Sequence, residues 1–209
     1  MRYEEHVTVV TEDIEELEEV AIDLDAKVHT IVLDRGENKK QVMLTKRFKS
    51  SSNNYDDVKT IARRFAMEIS KYGHRPIRVK LEGDLFEGDP IGPIKYCESH
   101  MLFKLSVYKD YEKQLKVLRE GFDAHLSRNP KKVANSNEDV NYRYLTFRDD
   151  TVEGIWRKIE GIWALLCTDY FSDLLNTLHK RHNEFVIMDT NLNIDKGWLY
   201  ASGRNREEV

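Results

Sequence analysis

The chain has 209 residues, a net charge of −4 at pH 7 and a pI near 6.0, with 40% hydrophobic and 33% charged residues. That balance is ordinary for a soluble globular protein and excludes a global attraction to long nucleic acid or to an anionic membrane. No apolar run approaches the roughly 18 residues of a membrane helix. There is no signal segment, and Cys97 and Cys167 alone make no disulfide framework, so a reducing, cytoplasmic setting is expected.

Residues 2–10 alternate, with Tyr3, Glu5, Val7 and Val9 on one side and Glu4, His6, Thr8 and Val10 on the other. This is the period of a strand with one mainly apolar face. Ile14, Leu17, Val20, Ala21 and Leu24 then recur at helical spacing. Residues 27–33 and 41–48 read as strands around the turn-rich Asp34-Arg35-Gly36-Glu37-Asn38. Val58, Ile61, Ala62, Phe65 and Ile69 mark a second helix, stopped near Gly73. Ile77, Val79 and Leu81, alternating with Arg78, Lys80 and Glu82, form a fourth strand. The order βαββαβ is that of a ferredoxin-like unit.

Residues 84–95, rich in glycine and proline, make the expected linker. The second half repeats the order. A strand over 96–107 precedes a helix carried by Tyr111, Leu115, Leu118 and Phe122. A short strand at 125–128, a polar loop at 129–140 and a strand at 141–148 follow. A long helical region runs from Val152 to about His182, with a break near Cys167, before a last strand at 185–188. The polar tail from Asp189 is placed against the second unit, with its end fraying from Arg204. The expectation is an α+β protein of two tandem ferredoxin-like units, residues 1–83 and 96–200. Their antiparallel sheets are related by a pseudo-two-fold and press their open faces together.

Two motifs occur twice. Glu4-Glu5-His6 and Glu98-Ser99-His100 open the first strand of each half, and Thr45-Lys46-Arg47 and Thr146-Phe147-Arg148 fall on the third. Side chains at i and i+2 share a face. Glu4, His6, Thr45 and Arg47 therefore gather on one open face, and Glu98, His100, Thr146 and Arg148 on the other. Arginine offers a fork of donors to an anion, and histidine exchanges a proton near neutral pH. Glutamate orients an imidazole, binds a metal or pairs with arginine. The same residues also suit a solvated sheet face stabilised by Glu–Arg cross-strand pairs. His125-Leu126-Ser127-Arg128-Asn129 concentrates further groups suited to an anion.

The leading expectation is a small phosphorylated, nucleotide-like ligand bound between the units, with phosphoester hydrolysis. Arg148, Arg128 and Arg47 would hold the anion with Thr146, Thr45, Ser127 and Asn129. His100, with His125 or His6, would be the acid and base, and Glu98 would orient His100. One alternative is a metal enzyme with Glu4, His6, Glu98 and His100 as ligands for zinc, iron or manganese. The other is a non-catalytic module binding a ligand or a protein. A glycine-rich phosphate loop, a Gly-x-Ser-x-Gly elbow and a Cys-x-x-Cys pair are absent, and no cofactor is named by the sequence.

His6-Val7-Thr8 and His125-Leu126-Ser127 resemble the paired His-x-Thr/Ser motifs of the 2H phosphoesterases. That resemblance implies histidines acting as acid and base on a phosphodiester, with hydroxyls holding the phosphate. Glu4-Glu5-His6-Val7 resembles the opening strand of vicinal-oxygen-chelate proteins, which implies a histidine-bound metal. The whole chain resembles an uncharacterised family of duplicated ferredoxin-like proteins with Glu-x-His, Leu-Ser-Arg-Asn and Thr-x-Arg in similar order. That likeness implies the duplication and attaches no activity to it.

Overall fold

The computed structural model describes residues 1–52, 54–88, 90–130 and 139–197. Most of the expected loop at 129–140 and the end from Arg204 lie outside the described residues. The elements are β1 (Arg2–Val10), α1 (Ile14–Asp23), β2 (Lys27–Leu33), β3 (Lys40–Lys49), α2 (Tyr55–Lys71) and β4 (Arg75–Asp84). They continue as β5 (Tyr96–Ser106), α3 (Glu112–Gly121), β6 (His125–Arg128), β7 (Val140–Asp149), α4 (Val152–Leu166) and β8 (Leu178–Asp189).

Helix starts follow local chemistry. The side chains of Asp13, Asn54 and Thr151 accept from the backbone N–H of Glu16, Asp56 and Gly154 at 2.9, 3.0 and 2.9 Å. Each satisfies one donor that the first turn leaves without a partner. Every strand pairing is antiparallel, and the order β1-β3-β2-β6-β7-β5-β8-β4 closes on itself. The apolar side chains of the strands, among them Val7, Leu44, Leu81, Met101, Leu145 and Phe185, are buried on the outside of this barrel. Leu17 of α1, Val58, Ala62, Phe65 and Ile69 of α2, Leu115 and Leu118 of α3, and Ile155, Ile159 and Ile162 of α4 cover them. Each fully buried large aliphatic contributes roughly 1.5–3 kcal/mol. No described helix is long and apolar enough to cross a membrane.

This architecture corrects the expectation of two tandem ferredoxin-like units with separate sheets. The protein is one closed eight-stranded antiparallel barrel, and the ferredoxin-like duplication does not describe it. The joins are β2 to β6 and β4 to β8. The physical reason lies at the sheet edges. Two open sheets would leave β2, β4, β6 and β8 with unpaired backbone groups, whereas closure pairs them with each other. Polar faces expected to press together instead curl round to line one interior.

Two further boundaries differ. The long helical region stops at Leu166, a 3-10 turn at Asp169–Phe171 and a short helical turn at Ser172–Leu175 follow, and β8 begins at Leu178. Here the hydroxyls of Thr168, Ser172 and Thr177 donate to the carbonyls of Leu165, Asp169 and Leu174 at 2.7–2.8 Å. Such local bonds compete with helix continuation. The tail also runs the other way, against β4. Thr190 Oγ1 accepts from the N–H of Val79 at 2.8 Å, and Asn191 Nδ2 donates to the Ile77 carbonyl at 2.9 Å.

Candidate functional site

Alternation along the strands sends the residues opposite to the apolar set into the barrel. They surround a cavity of about 280 Å³. Glu4, His6, Thr45, Glu98, His100, Thr146, Arg148, Ser127, Arg128 and Asn129 all line it. Among the residues singled out from the sequence, Arg47 and His125 stand apart. Arg47 is exposed at the rim, its Nε donating to Glu4 Oε2 at 2.6 Å. His125 is buried but does not line the cavity, and its Nδ1 accepts from Arg35 Nη2 at 2.7 Å. Burial and the positive charges of Arg35 and Arg148 lower the His125 pKa to about 3, so its imidazole is neutral near pH 7.

The two repeated motifs come together in matching registers. His6 stands opposite Thr45 on β3, and His100 opposite Thr146 on β7. Each imidazole Nδ1 is 2.8 Å from its threonine Oγ1. The other ring nitrogen faces carboxylates that strand-by-strand reading did not single out: Glu82 for His6 at 2.8 Å and Glu184 for His100 at 3.3 Å. Burial by itself would lower the His100 pKa, but Glu184 and Glu98 outweigh it and raise it to about 10. His6 is shifted upward in the same way, burial opposing and Glu82 prevailing. Glu184 also accepts from His182 at 2.8 Å, which raises the His182 pKa.

A buried ion network lies next to the histidines. Glu98 is bonded by Arg148 and Lys80, and Lys80 also by Glu82. Burial opposes ionisation of Glu98, yet Arg148 and Lys80 hold its pKa well below the usual carboxylate range. Arg78 reaches Asp189 at 2.6 Å and Asp195 at 2.9 Å, and the Arg148 guanidinium lies 3.7 Å over the Tyr96 ring. Asp195, from the 3-10 turn after β8, is 1% exposed and also sits 3.3 Å from Arg148. Removing one partner from such a buried pair leaves an uncompensated charge, a loss of roughly 3–5 kcal/mol.

The signals for these additional residues were uneven. Arg78, Lys80 and Glu82 sit at alternate positions of a strand whose other face is apolar, the same sign that marks Glu4 and His6. His182 was hidden because the segment up to it reads as helix, and Glu184 because it falls between that helical region and the strand expected at 185–188. No local pattern points to Asp195, which arrives through the path of the tail.

Comparison with known proteins returns no matching family model and no matching curated protein. Among solved structures, the small subunit of acetolactate synthase from Thermotoga maritima aligns with 13% identity over 91% of this chain and 97% of its own, at a TM-score of 0.32. The siroheme decarboxylase NirDL, in co-complex with an iron-uroporphyrin III analogue, aligns with 10% identity over 94% of this chain and 74% of its own, at 0.27. Neither likeness is close enough to bear on function. The expected ferredoxin-like, nucleotide-binding hydrolase therefore has no support from relatives, and its fold is replaced by the charged barrel.

Proposed function

We propose that the barrel interior binds a small organic anion, with Arg148 as its principal anchor. The observation that carries this reading is Arg148 Nη1. The side chain lines the cavity and its Nε and Nη2 are engaged by Glu98 and Asp195, but Nη1 is buried with no hydrogen-bond partner among the described residues. Leaving such a donor unsatisfied costs about 1–3 kcal/mol, which an acceptor on a ligand would recover. Arg128 and Lys180 also line the cavity and add positive charge. At about 280 Å³ the space lies just below the roughly 300–1,000 Å³ of typical ligand pockets. A compact anion fits this chamber better than a polymer.

The test is thermal denaturation in chelator-containing buffer against a panel of small carboxylates and phosphate monoesters. A ligand at 100 times its Kd should stabilise the fold by about 2.7 kcal/mol. Arg148→Gln should remove the shift. A panel without any shift beyond that of chloride, or an Arg148→Gln protein that retains it, would refute the reading.

A further inference from the structure

β5 and β8 run side by side, and two cross-strand pairs face the cavity together: Glu98 opposite Glu184, and His100 opposite His182. Like charges placed directly across a strand pair repel. Lys80 and Arg148 compensate Glu98, and among the described residues Glu184 meets only imidazoles. His100 Nε2 lies 3.3 Å from Glu184 Oε2 and 3.6 Å from Glu98 Oε2, and one ligand atom from each of the three lies within 4.8 Å of the others. These separations exceed the ~2.9 Å of a good N–H···O bond. They match the roughly 3.3–3.6 Å between ligands that share a tetrahedral ion at ~2.0–2.2 Å. Glu184 Oε1 is meanwhile 2.8 Å from His182 Nδ1, which brings the second imidazole to the same carboxylate.

The other half of the barrel supplies an internal comparison. There Glu4 stands opposite Glu82, and His6 stands opposite Lys80. The position of His182 is thus taken by a lysine, whose ammonium bonds Glu82 and reaches across to Glu98. Glu82 is thus bonded by a fixed ammonium, whereas among the described residues Glu184 is paired only with the imidazoles of His100 and His182.

We propose that His100 and Glu184, closed by Glu98, form a binding site for one divalent first-row transition-metal ion, with His182 holding Glu184 from outside the ligand set. An imidazole and two carboxylates suit zinc, manganese or ferrous iron. Arg148 and Lys80 fix Glu98 and reduce the charge it offers, so His100 and Glu184 carry most of the affinity. The site does not depend on the anion reading: metal uptake is measured without added anion, and anion binding in chelator.

The experiment uses full-length, untagged protein stripped of metal, then titrated with Zn2+ by calorimetry and with Co2+ by its visible d–d absorption. The wild type should take up about one equivalent and show a structured cobalt spectrum. His100→Gln and Glu184→Gln should each lose that equivalent and its spectrum, with folding checked by circular dichroism. His179→Ala, at an exposed position on β8, should keep both. If Glu184→Gln does not fold, His100→Gln and the wild-type titration decide. No stoichiometric uptake by the wild type, or unchanged uptake by His100→Gln, overturns the site.

Discussion

Glu5 shows how one residue can work against the fold that contains it. It shares the outer face of β1 with Tyr3, Val7 and Val9, is fully buried, and neither carboxylate oxygen has a hydrogen-bond partner among the described residues. Burial pushes its pKa up to about 9, with Lys46 pulling modestly the other way. The native state therefore keeps a proton on Glu5 that the unfolded chain releases near pH 4.5. For a raised folded-state value, the contribution is fully present below about 4.5 and is lost as pH rises towards about 9. Glu5→Gln cannot titrate, so its stability relative to wild type should climb over that window, by up to ~1.4 kcal/mol per pH unit. Chemical denaturation at pH 4, 6 and 8 reads this directly, and a difference that does not change with pH would rule it out.

At the scale of elements, the β4–β8 join depends on one missing side chain. Gly83 stands opposite Phe185, and a Cβ there would lie 2.3 Å from the phenylalanine ring. The ring is fully buried in the core, so it has little room to move aside. Gly83→Ala should cost about 1–3 kcal/mol by overpacking, measured by urea denaturation. A neutral result would mean that β4 and β8 can separate locally without loss. The strand alternation also explains the repeated His–Thr bonds. Once β1 pairs with β3 and β5 with β7, a one-residue slip would drive Glu4 and His6, or Glu98 and His100, into the apolar layer.

For the whole molecule, the two joins that close the barrel are unequal. β4 and β8 pair from Lys80↔Asp189 to Asp84↔Glu184, with a register shift between Leu81 and Glu82, whereas β2 and β6 pair at Val32↔Arg128 and Leu33↔Ser127 with one further bond from the Asp34 N–H to the Leu126 carbonyl. Opening should begin at the shorter join, because fewer backbone bonds must break there. Hydrogen exchange should show the amide of Asp34, which donates to the Leu126 carbonyl across the shorter join, exchanging faster than those of residues 81–84 and 184–188. Equal protection at both joins would contradict this. Ligands reaching the interior need no global unfolding, since Arg128 and Lys180 at the cavity wall are both exposed.

Periodicity alone determined which face of β1, β3, β4, β5 and β7 is polar, where α1, α2, α3 and the start of α4 lie, and that Glu4, His6, Glu98 and His100 belong to that polar face. These are short-range properties: a strand alternates every residue and a helix repeats every 3.6, whatever lies beyond. Only the tertiary structure decided that the polar faces line one barrel, because local alternation does not say which edges will pair. It also decided the partners. Arg78 meets Asp189 and Asp195 across 111 and 117 residues of chain, and His125 meets Arg35 across 90. Such contacts leave no periodic trace in the sequence. They exist because closing the ring brings distant strands and the tail after β8 to the same interior, where every buried charge must find an opposite.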